Sequence, residues 1–414
     1  MKTVKQAAIL IGGKGTRLGD AVRETPKPLL EVCERPFIEH IMLNLRRFGF
    51  EDFILLAGHQ AEVVQEYYGE GSAFAQELRA NVRVIVEPLP LGTGGALKCA
   101  QAHLNNEFLL INGDSIFDFN YLDLSNCERA DESENWLCRV ALLPVESATR
   151  YGFVELDGAR IKAFREKPAK PESGFINSGV YWMKSAVLDY IDTTPCSLER
   201  DVFPRLAAEE RLVGRIYQGF FIDIGIPEDL QKARDSLVDK LQKPSAFLDR
   251  DGTLNYDDGY THRVEEFRWI EGAKAAVKYL NDAGYLVFIV TNQAGIARGY
   301  YDAAAVEALH EWMQAELALV GAHFDDVRYC PHHPEGIVPE LSISCDCRKP
   351  SPGMLSSLIE QWHPDLSRSF MIGDSDKDAA AGAALGILSK KIEPSLLGQE
   401  VEHLTSRHQA LPHS

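Results

Sequence analysis

Residues 7–19 read AAILIGGKGTRLG and determine the architecture of the first half of the chain. The apolar run at residues 7–11 has the length of a buried strand, and it leads directly into a glycine-rich turn. Glycines let backbone N–H groups approach an anion closely, and a helix that follows adds its N-terminal dipole. Gly13, Gly15 and Gly19 form the pattern G-x-G-x-x-x-G, which matches neither common phosphate loop. Taken alone, this turn leaves a nucleotide site and a plain connection both open.

Strand and helix signals alternate outward from this stretch. Apolar residues between positions 37 and 48 recur at helical spacing, and Gly49 follows them as a helix-ending residue. Residues 53–56 have the composition of the next strand. This alternation predicts a mostly parallel sheet covered by helices.

A second series of the same kind begins at residue 246. Strands are predicted at residues 246–248, 286–290 and 369–372, a helix at 273–280 closed by Gly284, and a long helix capped by Asp302. A charged segment of helical pattern ends at Pro244, just before this series. The sequence therefore predicts an α/β fold with two Rossmann-like domains, at residues 1–235 and 246–390, a linker at 236–245 and a loosely held polar tail at 391–414.

Length and composition restrict the classes of function. The 414 residues fit two or three domains, and 43 Lys+Arg against 61 Asp+Glu give a net charge of −18, which disfavours nucleic acid as a partner. No apolar run approaches a membrane span, and the N-terminal apolar stretch is too short for a signal peptide. Five scattered cysteines, expected to be buried free thiols, fit a reducing cytoplasm; they are Cys33, Cys99, Cys127, Cys138 and Cys196.

Charged residues accompany the glycine-rich turn along the first half. Arg17 lies inside the turn, and Lys27 stands between two prolines in PKPLL, which stiffen its backbone. The segment PLGTGGAL at residues 90–97 offers a second cluster of small residues, against which a flat base could lie. Asp114 and Asp223 each end a strand-like segment, and such ends point into the ligand crevice of an α/β sheet.

The ordered set GGKGTRLG, PKP, LGTGGA, NGD, EKP, NSGVY and DIG resembles the sugar-1-phosphate nucleotidyltransferase family over residues 5–235, and most closely its heptose-1-phosphate guanylyltransferases. The resemblance implies a GT-A-like mixed sheet, Mg²⁺ held by Asp114 and Asp223, a triphosphate held by Arg17 and phosphate bound by Lys27. It also implies nucleobase contacts from Gly12, Gly13, Gly94 and Gly95, with Gly15, Thr16, Gly92 and Thr93 in the same nucleotide site. Glu166, Lys167 and Asn177 would face the sugar phosphate.

In the second half, FLDRDGTLN places Asp249 and Asp251 directly after an apolar strand. Such a pair suits stepwise phosphoryl transfer, in which one carboxylate attacks phosphorus and the other moves a proton. Thr291 and Asn292 follow a second strand, and Asp374 follows a third, with Asp378 one helical turn on. A bare D-x-D is often only an Asx-turn, but these parts together, with Lys349 as a phosphate-binding cation, favour catalysis.

This set, with DDGY, TNQAGIARG, CPHHPEG and CDCRKP, resembles the haloacid-dehalogenase (HAD) superfamily from about residue 246 to 386. Within this superfamily, the sequence most resembles the heptose-1,7-bisphosphate 7-phosphatases, and the histidinol-phosphate phosphatases are the second choice. The resemblance makes Asp249 the nucleophile and Asp251 the general acid and base, and it implies Mg²⁺ held by Asp249, the Asp251 carbonyl and Asp374. It implies substrate contacts from Asp257, Asp258, Gly259, Tyr260, Thr291, Asn292, Gln293, Ala294, Arg348 and Lys349. Ala294 replaces a serine that family members often carry.

A cysteine and histidine cluster lies in the same half. Cys330 and His332 form C-x-H, and Cys345 and Cys347 form C-x-C, which together make a closed structural Zn²⁺ set. His333 is the rival ligand, and the resemblance to the heptose phosphatases favours His332. The other interpretation is three loop thiols beside a chance histidine. Zinc would hold the loop that presents Arg348 and Lys349.

The two activities implied are chemically sequential. Loss of the 7-phosphate from a heptose bisphosphate leaves a 1-phosphate that a nucleotidyltransferase can use. The sequence thus predicts a bifunctional enzyme of nucleotide-activated heptose synthesis that uses Mg²⁺ in both domains, structural Zn²⁺, and small-molecule substrates, with GTP as the nucleotide and no nucleic acid or membrane partner. Two alternatives remain: a mannose-1-phosphate guanylyltransferase fused to a phosphatase of another sugar or of histidinol phosphate, or one domain that is catalytically silent and regulatory.

Overall fold

A computed structural model describes residues 5–13, 15–23, 25–69, 71–126, 135–146, 153–165 and 172–409. The chain divides into two compact units, Met1–Leu241 and Gln242–Ser414. The division falls inside the stretch that the sequence marks as a linker. Residues 236–241 of that stretch are the last turns of a helix, Pro227–Leu241, which packs in the first unit.

The first unit contains thirteen strands and seven α-helices among the residues described. The strands are β1 (Lys5–Leu10), β2 (Glu31–Val32), β3 (Arg35–Pro36), β4 (Phe50–Ala57), β5 (Asn81–Val86), β6 (Glu107–Asn112), β7 (Ser115–Phe117), β8 (Cys138–Val145), β9 (Phe153–Asp157), β10 (Arg160–Arg165), β11 (Gly174–Lys184), β12 (Leu212–Ile216) and β13 (Phe221–Asp223). The helices are α1 (Phe37–Arg47), α2 (Ala61–Tyr68), α3 (Ala73–Leu78), α4 (Gly92–Cys99), α5 (Tyr121–Ser125), α6 (Phe203–Ala208) and α7 (Pro227–Leu241).

Nine of these strands form one mixed sheet in the order β5-β4-β1-β6-β11-β8-β12-β10-β9. The prediction of a mostly parallel sheet holds for the four strands from β5 to β6, which are parallel. It fails beyond them, because β11 runs antiparallel to both β6 and β8. The sheet is therefore mixed, as the family resemblance implied. Alternate residues of β1 point to two separate apolar cores, with Ala7 and Ile9 in one and Ala8 in the other, so both faces of the sheet are covered.

The second unit is built on a five-stranded parallel sheet. Its strands are β14 (Ser245–Leu248), β15 (Leu286–Asn292), β16 (Asp326–Cys330), β17 (Phe370–Gly373) and β18 (Leu388–Lys391). They lie in the order β16-β15-β14-β17-β18, and every pairing is parallel. The carboxyl ends of β14, β15 and β17 therefore meet at one edge, which is where ligands bind in such sheets.

Five α-helices complete the second unit: α8 (Ala273–Asp282), α9 (Ala303–Leu319), α10 (Gly353–Trp362), α11 (Asp376–Ala383) and α12 (Leu397–Gln409). The predicted cap is confirmed, because the Asp302 side chain accepts from the Ala305 N–H at the start of α9. No helix in the described part of the chain is long and apolar enough to cross a membrane.

The prediction of a loosely held tail at residues 391–414 is wrong where the structure describes it. Helix α12 places Leu397, Val401 and Leu404 in the main apolar core of the second unit, where it packs on α8. These residues have the i, i+4, i+7 spacing of one helix face, and they bury an apolar stripe beneath a polar surface. The last five residues, 410–414, lie outside the described part.

Candidate active sites

In the first unit, one buried lysine joins the two carboxylates that the sequence singles out. The Lys27 Nζ atom lies 2.5 Å from Asp114 Oδ2 and 3.7 Å from Asp223 Oδ1. The lysine side chain is 9% exposed and the two carboxylates are 38% and 25% exposed, so the charges meet at a partly open surface. Lys27 begins a short 3-10 helix, Lys27–Leu29, between the two prolines of PKPLL.

A small ribbon fixes the spacing of these carboxylates. Strand β7 pairs antiparallel with β13, so that Asp223 lies opposite Ser115, the residue after Asp114. The Ile224 N–H donates to the Asp114 carbonyl, and the Gly225 N–H donates to Asp223 Oδ1 at 2.6 Å. Residues more than a hundred positions apart are thereby held against one ammonium group. This local sheet lies outside the nine-stranded sheet, and sequence patterns did not predict it.

The glycine-rich turn is exposed and lies beside the half-buried carboxylate of Glu87. Thr16 and Arg17 are exposed, and Arg17 makes no hydrogen bond or ion pair with any residue that the structure describes. A Cβ atom added to Gly12 would lie only 2.5 Å from Glu87 Oε1, so this oxygen lies directly against the turn. Its Oε2 accepts from the Leu91 N–H at 2.9 Å, and burial raises the pKa of Glu87. Glu87 was not among the predicted site residues, although it directly precedes the PLPLGTGGAL segment.

The second cluster of small residues has a structural explanation. Gly94 and Gly95 are buried, and both backbone N–H groups donate to the Cys196 carbonyl. A Cβ at Gly92 would lie 2.5 Å from the same oxygen, and Gly92 has a φ of +76°. The Thr93 hydroxyl donates to Glu199 at 3.1 Å and accepts from the Leu198 N–H. Close packing of the N-terminus of α4 on residues 196–199 thus requires these glycines. The base contacts predicted for Gly94 and Gly95 stay a prediction, and they would have to be made without the two N–H groups, which already have a partner.

Three residues were predicted to face the sugar phosphate. Asn177 lies at an irregularity in β11, where its Nδ2 donates to the Tyr181 hydroxyl at 2.8 Å and its Oδ1 accepts from the Gly179 N–H at 3.0 Å. Glu166 and Lys167 lie outside the described residues.

In the second unit, the ends of three parallel strands bring together the predicted catalytic groups. Lys349 Nζ lies 2.6 Å from Asp249 Oδ1 and 2.6 Å from Asp378 Oδ1, and it donates to the Val290 carbonyl at 2.6 Å. Asp249, Asp374 and Asp378 each offer a carboxylate oxygen within 4.8 Å of the others. Gly252, with a φ of +82°, is required because the Asp374 carboxylate occupies the space of a Cβ there.

Burial determines the electrostatics of this group. It raises the pKa of Asp249 to about 7, although the Lys349 ammonium opposes the shift. Burial also disfavours the charge on Lys349, but the carboxylates of Asp249 and Asp378 overcome it and raise the Lys349 pKa. The pKa of Asp374 is raised, first by burial and then by Asp378. Hard oxygen donors at this spacing form a set that a divalent cation such as Mg²⁺ accepts.

Asp251 lies beside this group and accepts hydrogen bonds from four side chains. Arg250 Nη2 reaches both of its oxygens at 2.9 Å, Asn255 donates to Oδ1 at 3.1 Å, and Gln293 donates to Oδ2 at 2.8 Å. The Thr291 hydroxyl lies 3.5 Å from Oδ2. Arg250, which is fully buried, also donates to the Thr261 carbonyl. The carboxyl group is therefore held in one orientation.

The remaining predicted contact residues divide into two groups. Asp257, Asp258, Gly259 and Tyr260 form an exposed loop, in which Asp258 pairs with Arg268 at 2.6 Å. Asn292 instead clamps the backbone of Lys349, accepting from its N–H at 3.0 Å and donating to its carbonyl at 3.1 Å. Ala294 is half-buried, and Arg348 donates to the His332 carbonyl at 3.3 Å. The structure thus assigns Asn292 to positioning Lys349, a contact that the sequence did not suggest.

The cysteine and histidine residues converge as a compact cluster. The three sulfur atoms of Cys330, Cys345 and Cys347 lie 3.1–3.5 Å apart, and His332 Nδ1 lies 3.3 Å from Cys347 Sγ. All four ligand atoms lie within 4.8 Å of one another. The rival His333 accepts from the Glu335 N–H at Nδ1 and faces Arg298 at Nε2, so it lies outside the cluster. The donor set fits a metal ion that prefers thiolate and imidazole ligands.

Comparisons with known proteins agree with this division. The nucleotidyl transferase family model matches residues 6–240, and a HAD-hydrolase-like model matches residues 346–389. The chain is 50% identical over 152 residues to a D-glycero-beta-D-manno-heptose-1,7-bisphosphate 7-phosphatase of Rhodopseudomonas palustris, covering 37% of this chain and 84% of that protein. It is 44% identical over 142 residues to a D-glycero-alpha-D-manno-heptose-1,7-bisphosphate 7-phosphatase of Photorhabdus laumondii, covering 34% and 78%. The crystal structure of HddC from Yersinia pseudotuberculosis complexed with GMP-PN covers 56% of this chain and all of its own, at 28% identity and a TM-score of 0.49.

Proposed function

Since the chain belongs to the nucleotidyl transferase family through residues 6–240, and to the heptose-1,7-bisphosphate 7-phosphatase family through a second stretch of 152 residues, we propose that it is a bifunctional enzyme of nucleotide-activated heptose synthesis. It removes the 7-phosphate of a heptose 1,7-bisphosphate and transfers a nucleotidyl group to the heptose 1-phosphate that remains. What carries the proposal is that each unit gathers carboxylates around one buried lysine at strand ends.

In the phosphatase reaction, an Asp249 oxygen attacks the phosphorus of the 7-phosphate as the bond from phosphorus to the sugar oxygen breaks. Asp251 gives its proton to the departing sugar oxygen, and it then takes a proton from the water that hydrolyses the acyl phosphate. Lys349 offsets the negative charge of the incoming phosphate and of the nucleophile. Asn292 fixes the segment from which that lysine projects.

Asp249, Asp374 and the Asp251 carbonyl would hold Mg²⁺ in this unit. The oxygen donors of this set and their mutual approach within 4.8 Å support the assignment for the two side chains. When bound, the ion shields the phosphate dianion from the carboxylates. Asp378 lies in the same cluster, but its carboxylate is paired with Lys349.

In the transfer reaction, an oxygen of the sugar 1-phosphate attacks the α-phosphorus of a nucleoside triphosphate and pyrophosphate leaves. Two anions must meet, so positioning and cationic side chains supply most of the catalysis. The exposed Arg17 would hold the triphosphate beside Gly13, Gly15 and Thr16, and Lys27 would contact phosphate. Asp114 and Asp223 would hold Mg²⁺, and the support is that both carboxylates already reach one cationic group.

The carboxylate of Glu87 supports guanine as the base. Guanine presents two adjacent donors, N1–H and N2–H, whereas uracil and thymine present one and adenine places an acceptor beside its donor. Glu87 lies against Gly12 at the glycine-rich turn, and its ionised carboxylate accepts and does not donate. The Glu87 carboxylate is therefore complementary to the N1–H and N2–H groups of guanine.

Zinc would be the metal of the cysteine and histidine cluster. Cys330, His332, Cys345 and Cys347 form a closed set with no position for substrate, which is typical of a structural role. Because Arg348 directly follows Cys347 and bonds to the His332 carbonyl, the cluster sets the position of the segment that ends in Lys349.

One incubation tests the proposed function. The intact chain is mixed with the α or β anomer of heptose 1,7-bisphosphate and with each nucleoside triphosphate in turn, while inorganic phosphate and pyrophosphate are followed separately. We expect phosphate release with a bisphosphate alone, and pyrophosphate release only when GTP is also present. Mannose 1-phosphate with GTP serves as the competing substrate. Faster pyrophosphate release from mannose 1-phosphate than from the heptose product would contradict the proposal.

A further inference from the structure

Asn177 and Tyr181 are joined by a hydrogen bond that a straight strand would not allow. Both belong to β11, and four residues of extended chain cover about 13 Å. The Asn177 Nδ2 atom nevertheless donates to the Tyr181 hydroxyl at 2.8 Å. The pairing of β11 with β8 is irregular between these two residues, and Gly179 within the irregularity has a φ of +79°. The irregularity shortens the strand and brings the two side chains together.

This irregularity lies against the strand end that leads to Asp114. A Cβ at Gly179 would overlap the Asn112 side chain, so the turn that contains Asn177 packs directly on the end of β6. Asp114 is two residues further along the chain, and its carboxylate lies 2.5 Å from the Lys27 ammonium. Bulges are common beside active sites, where they redirect a side chain. The packing therefore supports the predicted position of Asn177 near the phosphate-binding groups.

The bonds of the Asn177 side chain determine which of its atoms can reach a ligand. Its Oδ1 accepts from the Gly179 N–H at 3.0 Å, within the same turn. One Nδ2 proton goes to the Tyr181 hydroxyl, and no other residue in the described part of the chain accepts the second. Asn177 is half-buried. The remaining N–H is therefore the donor that it can offer to an oxygen of the sugar phosphate.

The Tyr181 hydroxyl has a second partner on the side away from Asn177. Tyr181 is fully buried, and its hydroxyl bonds to the carboxylate of Glu199. A carboxylate accepts and does not donate, so the phenol proton goes to Glu199 and the phenol oxygen is left to accept from Asn177. Glu199 Oε2 also accepts from the hydroxyls of Thr93 and Ser197, at 3.1 and 2.9 Å. One carboxylate thus sets the direction of the bonds that lead to Asn177.

The ring of Tyr181 is held by the same segment that carries Glu199. Phe203 packs on this ring, with the two centroids 5.2 Å apart. Phe203 directly follows a π-helix, Leu198–Val202, which contains Glu199. Single π-helical turns are rare and often occur at functional sites. The Tyr181 hydroxyl is therefore fixed both by packing and by hydrogen bonds.

We propose that Tyr181 is a positioning residue of the nucleotidyl transferase site, which holds the Asn177 amide so that one N–H points at an oxygen of the sugar 1-phosphate. This inference rests on the proposed transfer reaction and on the contact predicted for Asn177. Without the phenol, only the bond to Gly179 would hold the side chain, and binding of the sugar phosphate would have to order it. The effect should therefore appear in KM for the sugar phosphate and not in KM for the nucleotide.

Pyrophosphate release by the full-length protein, measured with heptose 1-phosphate and GTP, tests this role. Tyr181→Phe removes only the hydroxyl, and we expect KM for heptose 1-phosphate to rise about tenfold, the value of one hydrogen bond. KM for GTP should stay within about twofold. Tyr68→Phe is the matched control, because this buried phenol of α2 also donates to a glutamate, Glu39 of α1, at 3.0 Å. It loses the same kind of bond and should change neither KM.

Asn177→Ala separates the possible failures. It should raise KM for heptose 1-phosphate at least as much, and adding Tyr181→Phe to it should cost nothing more if Tyr181 acts through Asn177. If Asn177→Ala raises this KM while Tyr181→Phe changes neither KM or raises both equally, the role of Tyr181 is overturned and the transfer reaction stands. An additive double variant, or no effect of Asn177→Ala, overturns that role as well. If the unchanged protein releases no pyrophosphate from heptose 1-phosphate with any nucleoside triphosphate, the proposed function itself fails.

Discussion

Lys349 joins Asp249, the proposed nucleophile, to Asp378 in the most deeply buried ion pairs of the phosphatase site. Replacing Lys349 by methionine tests what these ion pairs contribute. The lysine and the two carboxylate side chains are 2%, 10% and 1% exposed, with both separations at 2.6 Å. Methionine conserves most of the volume and removes the charge. Asp249 and Asp378 are then left buried without a cation.

The expected loss of stability follows from that burial. Removing one partner of a buried ion pair costs about 3–5 kcal/mol, because the remaining charge loses its compensation. Burial raises the pKa of Asp249 to about 7 even with Lys349 present, and loss of the ammonium raises it further. Without the ammonium, the incoming phosphate also loses the cation that offsets its charge beside the Asp249 carboxylate. We expect kcat for phosphate release to fall by about 10²–10³.

Hydrogen exchange measured on peptides that cover β14 and β17 reports on this unit alone. Protection in Lys349→Met should fall by about 100-fold or more, since each 1.4 kcal/mol is a factor of ten. Lys390→Met is the control, because Lys390 pairs with Glu400 at 2.5 Å on the surface, where such pairs contribute about 1 kcal/mol or less. Equal loss of protection in the two variants, or phosphatase activity above a tenth of the original, would show that Lys349 neither stabilises this unit nor supports phosphate release.

Three other predictions concern the cysteine and histidine cluster, the choice of nucleobase and a buried histidine. The purified chain should carry about one equivalent of zinc, measured by metal analysis. Cys347→Ser should lower the zinc content, and it should raise KM for the bisphosphate more than it lowers kcat. Less than about a tenth of an equivalent of zinc in the original protein would contradict the zinc assignment. Glu87→Gln should lower kcat/KM for GTP by about 100-fold and leave that for UTP unchanged in pyrophosphate-release assays, because one carboxylate oxygen is replaced by an NH₂ group that cannot accept from guanine; equal loss with both nucleotides would contradict a role in base choice. Burial lowers the pKa of His310 to about 3 in the folded protein. Between about pH 6.5 and pH 3, His310 is therefore protonated only in the unfolded state, and the free energy of unfolding falls by about 1.4 kcal/mol per pH unit as the pH is lowered. His310→Gln should flatten that dependence in urea titrations at several pH values, and an unchanged slope would show that His310 is not the titrating group.

The elements that were predicted correctly are those that depend on residues close together in the sequence. The strand before Asp249, the cap at Asp302 and the helix ended by Gly49 each depend on neighbours within a few residues, and the structure has all three. The cysteine pairs also came together, because each pair is adjacent in sequence and both belong to one loop region.

Contacts between residues far apart in the sequence could not be predicted from local patterns. Asp378 is one turn from Asp374, but its partner Lys349 lies on another segment, and nothing in the local pattern joins them. The local pattern of β11 did not predict that it runs antiparallel to its neighbours, and only the family resemblance implied a mixed sheet. Helix α12 is a different case, because Leu397, Val401 and Leu404 have helical spacing in the sequence. The prediction of a loosely held tail rested on the polar composition of residues 391–414 and did not use this spacing.

The two units should work as independent centres of phosphoryl chemistry, which can be examined with one substitution in each unit. Folded Asp249→Asn and Asp114→Asn proteins are each given heptose 1,7-bisphosphate, heptose 1-phosphate and GTP, and phosphate and pyrophosphate are measured separately. Asp249→Asn should abolish phosphate release and keep pyrophosphate release from the monophosphate, and Asp114→Asn should do the reverse. Loss of both products from either folded variant would contradict the account.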